Sequence, residues 1–214
     1  MEVSQMNKHK SLFVTLEGPN GVGKTTVAKE ITQKLRNLGY KFLLTKEPTA
    51  SLLGDFLRNS EEIYGRETLA CIAAADRYFH IAKEIAPALT AGQIVLSDRY
   101  VESSLVLQRL DGCSLEFIWN VNTQILIPDL SVILVSDPTI LDQRLSSERM
   151  KFSRFERDKT REKEMSFYRE AAKFIDQKGF NVCLLENDKQ PASFTAERIV
   201  SEIQKLLKEK EAMS

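Results

Sequence analysis

The stretch Gly18-Pro19-Asn20-Gly21-Val22-Gly23-Lys24-Thr25 constrains this chain most, because it fits G-x-x-x-x-G-K-[ST] at every fixed position. Its neighbours suit it. Before it, Leu12-Phe13-Val14-Thr15-Leu16 is a continuous apolar, β-rich run, as in a strand buried on both faces. After it, Val27, Ile31, Leu35 and Leu38 recur at helical spacing and stop at Gly39. Glycines let a loop curl so that successive N–H groups converge on phosphate oxygens. Lys24 adds a mobile positive charge for the β- and γ-phosphates, and Thr25 a hydroxyl ligand for Mg²⁺. The helix start adds the positive end of its dipole. Gly18, Pro19, Asn20, Gly21, Val22, Gly23, Lys24, Thr25 and Thr26 are therefore assigned to the phosphates of a nucleoside triphosphate, taken to be ATP.

The same alternation continues along the chain. Strands are predicted at Phe42 to Thr45, around Ile94-Val95-Leu96, at Leu130 to Val135 and at Val182 to Leu185. Helices are predicted at Thr68 to Leu89, Leu115 to Ile127, Thr139 to Glu148, Thr160 to Gln177 and through Ile199, Val200, Ile203, Leu206 and Leu207. Five short strands separated by helices predict an α/β fold with a parallel sheet covered on both faces. One domain over 11–214 is expected behind a polar tail at 1–10, with no repeat or long linker.

Thirty basic residues balance thirty acidic ones, which gives no support to general nucleic-acid or membrane binding. No run approaches the ~18 apolar residues of a membrane span, and residues 1–10 lack the apolar core of a signal peptide, so a cytoplasmic protein is expected. Cys71, Cys113 and Cys183 stand in no metal-ligand spacing and read as reduced, buried thiols. His9 and His80 form no ligand cluster; His9 reads as tail and His80 as a helix-surface or packing residue.

Asp98 ends a buried strand, where an acid can hold Mg²⁺ directly or through water; a helix N-cap would place the same residue type there. No guanine-reading Asn-Lys-x-Asp is present, since Glu186-Asn187-Asp188-Lys189 has the letters in the wrong order. A small domain with one phosphate loop points to a small-molecule kinase, which needs a second anionic pocket and an arginine-bearing flap. Arg58, Arg77 and Arg99 suit the pocket, because a guanidinium grips phosphate or a base edge with two parallel bonds. Arg149 and Arg154 fall in a predicted charged loop at about 149–158, the place for such a lid, whereas Lys159 to Lys163 read as a solvated, ion-paired helix face.

These residues give a resemblance. Glu17 to Thr26, Lys46-Glu47-Pro48, Ala74 to Arg77, Asp98 to Ser104 with Gln108, Pro128 to Leu130 and Arg154 to Glu156 resemble thymidylate kinases, in the right order and over nearly the whole chain. The resemblance implies a P-loop kinase fold, transfer of the γ-phosphate of ATP to dTMP with Mg²⁺, and a homodimer. It implies catalytic roles for Lys24, Arg99, Arg149 and Arg154, and Mg²⁺ binding by Thr25 and Asp98. It places Glu47, Pro48, Arg58, Ala73, Arg77, Arg99, Ser104, Leu107 and Gln108 at the acceptor nucleotide, with Arg58 and Arg99 on its phosphate and Arg77 on the pyrimidine edge. The loop's variable positions Pro19, Asn20 and Val22 are not basic, which resembles the bacterial type whose catalytic arginine comes from the lid.

Three positions depart from the family pattern. Ala73 stands where a phenylalanine stacks on thymine, Leu107 where an aromatic ring packs on the deoxyribose, and Asn20 where a carboxylate lies near the 3′-hydroxyl. One base–aromatic stack is worth roughly 1–3 kcal/mol. Either neighbours such as Tyr78 or Phe79 compensate, or the pocket takes a different or modified nucleoside monophosphate. A low-turnover nucleotide sensor is the alternative from another class.

Overall fold

The computed structural model describes residues 11–60, 63–147 and 161–212. Strands β1 (Leu12–Glu17), β2 (Phe42–Lys46), β3 (Ile94–Asp98), β4 (Leu130–Val135) and β5 (Val182–Glu186) form one sheet in the order β2-β3-β1-β4-β5. Every pairing is parallel, with Leu16 opposite Asp98 and Val14 opposite Leu130. β1 and β4 are buried at every position and β3 at all but Asp98, whereas the edge strands β2 and β5 are largely half-exposed. This is why the central strands read as unbroken apolar runs. The α/β architecture is the one the sequence predicts.

The helices are α1 (Lys24–Asn37), α2 (Leu52–Ser60), α3 (Arg66–His80), α4 (Ala86–Thr90), α5 (Val101–Leu110), α6 (Leu115–Asn120), α7 (Pro138–Ser147), α8 (Arg161–Asp176) and α9 (Ala192–Ala212). α1 buries Val27, Ala28, Ile31 and Leu35 and packs on α9, whose Ala196, Ile199, Val200 and Ile203 face inward. It ends in a Schellman-like cap, in which Gly39 takes φ 78° and the Tyr40 N–H reaches Leu35 O at 3.0 Å. On the other face, α8 packs on α5, and α3 packs on α2 and α5.

Several segments differ from the sequence expectation. The long helix predicted from Thr68 to Leu89 is interrupted by a π-helical turn at Ile81–Ile85, where the Ala86 N–H donates to Ile81 O, five residues back. Pro87 follows at once; its missing N–H and bulky ring disfavour a regular ladder at that point. The helix predicted over Leu115 to Ile127 stops at Asn120. There Asn122 Nδ2 donates to Ile118 O at 2.7 Å and Thr123 Oγ1 to Asn120 O, so side chains take the carbonyls that the next turn would use. Helix α5 had no sequence signal because it is buried on almost every side and carries no amphipathic stripe. Of the three thiols only Cys113 is buried; Cys71 is exposed on α3 and Cys183 half-buried on the edge strand, and all are free. His80 is wholly buried in a polar network rather than on a helix surface.

β1 and β3 are adjacent, yet the chain leaves β1 toward β2 on one side and β3 toward β4 on the other. A crevice opens beyond the carboxyl ends of such strands, and ligands of open α/β sheets bind there.

Candidate active site

The loop between β1 and α1 lies at that crevice. Gly18, Gly21 and Gly23 all have positive φ (140°, 80° and 100°). At Gly18 a β-carbon would also stand 2.4 Å from Leu134 O, so only glycine fits. Lys24 is folded across the cradle, with Nζ donating to Gly18 O (2.7 Å) and Pro19 O (2.9 Å). Burial, reinforced by the positive charge of Arg99, pulls its ammonium down to about 7. From the far side, Asn187 after β5 donates to Val22 O at 2.7 Å, and Arg144 of α7 reaches Val22 O and Asp188 O. Gly21, Gly23, Thr26, Arg144, Asn187 and Gln190 line a recess beside the loop. Arg144 falls in the helix predicted from Thr139 to Glu148 and carried no assignment there; its role as a clasp on the loop depends on β5 lying next to β4.

Asp98 and Arg99 leave β3 beside the loop. Gly21, Gly23, Lys24, Thr25, Thr26, Lys46, Asp98 and Arg99 line one cleft. Asp98 Oδ1 is buried with no hydrogen-bond partner among the described residues, and the exposed Thr25 hydroxyl lines the same cleft. Two hard oxygens beside a phosphate cradle suit Mg²⁺, which takes few protein ligands and keeps substrate oxygens and water for the rest. Among the described residues no group of three His, Cys, Asp or Glu could hold a metal by itself.

Arg99 takes φ 76°, an uncommon conformation for a residue with a β-carbon. Its guanidinium donates to Asn20 Oδ1 at 2.5 Å and Ser103 Oγ at 3.0 Å. Beneath it, the fully buried Glu17 accepts from the Tyr100 and Ser103 N–H groups and the Ser103 hydroxyl. Burial, and then the neighbouring Glu102, push the Glu17 carboxyl up to about 8.

A second recess lies on the α2, α3 and α5 side. Asn20, Glu47, Pro48, Ala73, Arg77, Arg99, Ser104, Leu107 and Gln108 line it, together with Leu57, Leu69, Asp76, Tyr100, Ser103 and Glu164. The first nine were all singled out from the sequence, Asn20 among the phosphate-loop residues and the other eight for the acceptor. Arg77 is buried and engaged by protein: Nε donates to Glu47 Oε2 (3.0 Å), Nη1 to Asn122 Oδ1 (2.6 Å) and Nη2 to Tyr100 O (3.0 Å) and Ser104 Oγ (3.1 Å), with Nη2 also 2.8 Å from Glu47 in an ion pair. Gln108 is buried, and its Oε1 has no hydrogen-bond partner among the described residues. Arg58 does not line the recess; it donates to Pro48 O (2.8 Å) and Asp55 (2.5 Å) on a half-exposed surface. Asp76, missed in the sequence, fixes the loop after β2 by accepting from the Thr49 N–H, the Thr49 hydroxyl and the Ser51 hydroxyl. Glu164 comes from α8, and nothing in the sequence assigns it a role beyond its place in a predicted helix. Neither Tyr78 nor Phe79 fills the place left by Ala73. The Tyr78 hydroxyl donates to Val121 O and Phe79 is 38% exposed, so Leu57, Leu69, Ala73 and Leu107 give this recess aliphatic walls. Arg149, Arg154 and the predicted lid lie outside the described residues.

The site is thus two recesses joined at Asn20, Glu47 and Arg99: a phosphate cradle with hard oxygens, and a pocket with apolar walls and a polar floor. A model of the thymidylate kinase family matches residues 16–191. A probable thymidylate kinase of Caldivirga maquilingensis is 38% identical over 143 residues, covering 65% of this chain and 70% of that protein. A probable thymidylate kinase of Pyrococcus horikoshii is 41% identical over 133 residues (58% and 65%), and a thymidylate kinase of Thermomicrobium roseum 40% over 131 (58% and 62%). The chain therefore spans roughly two thirds of the length of these relatives.

Proposed function

The chain belongs to the thymidylate kinase family, and from that premise we propose that it transfers the γ-phosphoryl group of ATP to dTMP, giving ADP and dTDP. The observation that carries this reading is the junction at Asn20, Glu47 and Arg99, which lets two nucleotides meet phosphate to phosphate. An acceptor phosphate oxygen, already anionic, attacks the γ-phosphorus while the bond to the bridging oxygen of ADP breaks. No side chain has to act as a strong base. Catalysis is then positioning and charge stabilisation.

In this reading the loop N–H groups and Lys24 hold the donor phosphates and Arg99 holds the acceptor phosphate. Thr25 and Asp98 hold Mg²⁺, which neutralises charge on the transferring group when bound. The loop's variable positions offer no cation, so Arg149 and Arg154 from a lid at about 149–158 supply it, and Arg58 swings from Asp55 to the acceptor phosphate. Residues 11–214 act as one kinase domain in the cytoplasm, and as the homodimer that the family resemblance implies. A second reading is favoured by the aliphatic walls at Ala73 and Leu107: a different or modified nucleoside monophosphate in the same pocket.

ADP production with Mg-ATP and dTMP, dUMP, UMP, dCMP, CMP, AMP, dAMP, GMP and dGMP separates these. A dominant signal with dTMP supports the first reading. Dominance of another acceptor would redirect it, and no turnover with any acceptor would overturn it.

A further inference from the structure

Behind the acceptor recess runs a buried chain of polar contacts. His80 Nδ1 is 3.2 Å from Glu47 Oε1, and His80 Nε2 is 2.8 Å from Thr45 Oγ1, which is in turn 2.6 Å from Glu84 Oε2. Glu47 Oε2 holds Arg77, and Arg77 reaches Ser104 in the recess. His80 is fully buried, whereas Glu84 is 42% exposed.

Each of the first three contacts needs one hydrogen between its partners. A neutral imidazole and a threonine hydroxyl supply two. The third has to come from an added proton, and its place follows from the surroundings. Glu84 lies at the solvent end of the chain, whereas the buried His80 ring faces one carboxylate through each nitrogen, Glu47 directly and Glu84 by way of Thr45, so the added hydrogen belongs on the ring. The charged groups facing His80 are Glu84 from the π turn and Glu47 from the loop after β2, with Arg77 behind Glu47. With the proton present, Glu84, His80, Glu47 and Arg77 sum to zero charge; without it they carry a negative charge next to the acceptor recess.

We propose that Glu84, Thr45 and His80 are positioning residues for this recess, holding an imidazolium at His80 that balances Glu84, so that the four groups carry no net charge and the Glu47–Arg77 pair stays set toward Ser104. Without that positive charge the set is negative and works against an anionic acceptor. The kinetic part rests on the acceptor reading above; the protonation does not.

Two measurements test it. The chain has two histidines, so His9→Gln leaves one ring for nitrogen NMR. Near pH 7 both His80 nitrogens should carry hydrogen. In Glu84→Gln the amide can donate to Thr45, whose hydroxyl then donates to Nε2, so all three contacts are satisfied by a neutral ring and one nitrogen should be bare. A bare nitrogen without the Glu84 change overturns the proposal whether or not the protein turns over dTMP. In kinetics at pH 7, His80→Gln removes the imidazolium and leaves the set one charge negative, so the acceptor KM should rise about threefold, the size of one added charge about 10 Å away in a medium of intermediate dielectric. His80→Gln combined with Glu84→Gln returns the set to zero charge and should bring the KM back, with the KM for ATP unaffected in both. An equal rise in the single and double variants would overturn the coupling to the recess.

Discussion

Arg99 donates to Asn20 Oδ1 at 2.5 Å, so the phosphate loop and the acceptor recess share one hydrogen bond. The bond exists because Arg99 leaves β3 at φ 76° and β3 lies beside β1. A neutral amide there holds the guanidinium while leaving its charge for an acceptor phosphate.

Asn20→Ala should remove a hydrogen bond to a charged donor, worth about 1.5–3 kcal/mol. The expected result is a fall in kcat/KM for dTMP of about 10- to 150-fold, with a smaller change for ATP at saturating dTMP. Steady-state kinetics with each substrate varied would check it; equal losses for both would argue that Asn20 serves the loop alone.

Arg77 and Arg58 should separate by stability. Arg77→Met leaves Glu47 buried without its partner, and breaking such a pair destabilises by about 3–5 kcal/mol. The Arg58–Asp55 pair is half-exposed, so Arg58→Ala should change stability by no more than about 1 kcal/mol while raising the acceptor KM. Urea unfolding of both variants gives the comparison.

Gln108→Leu removes an amide whose oxygen has no hydrogen-bond partner among the described residues. A buried polar atom left unpaired is unfavourable, so the melting temperature should hold or rise while kcat/KM for dTMP falls by about 5- to 30-fold, roughly the worth of one good hydrogen bond. A clear loss of melting temperature would make Gln108 a packing residue instead.

Lys24, with its ammonium pulled down to about 7, is largely neutral at pH 8 in the free protein. Donor phosphates favour the charged form, so ATP binding at pH 8 should take up close to one proton, about what linkage requires when a neutral lysine becomes charged. At pH 6 Lys24 is already charged and contributes no uptake. Calorimetry in two buffers of different ionisation enthalpy measures this, and Lys24→Arg, always charged, should abolish the uptake at pH 8.

The sequence by itself determined the sheet and the donor cradle. The three central strands appear as unbroken apolar runs because they are buried on both faces, and the phosphate loop is contiguous, so its chemistry is written in adjacent letters. Eight of the nine residues assigned to the acceptor line one recess because their motifs end strands or lie on helices that converge at the switch between β1 and β3. Tertiary structure alone decided the rest. Helix α5 is buried on almost every side and left no periodic trace, and Pro87 marks a break in the long helix without saying that it takes the form of a π turn. Arg77, a plausible base reader in the sequence, is engaged by Glu47, Asn122, Tyr100 and Ser104, and His80 became a buried link between two carboxylates. A residue's type is local, but the partners that fix its charge and orientation come from distant segments, and only the packed fold brings them within hydrogen-bond reach.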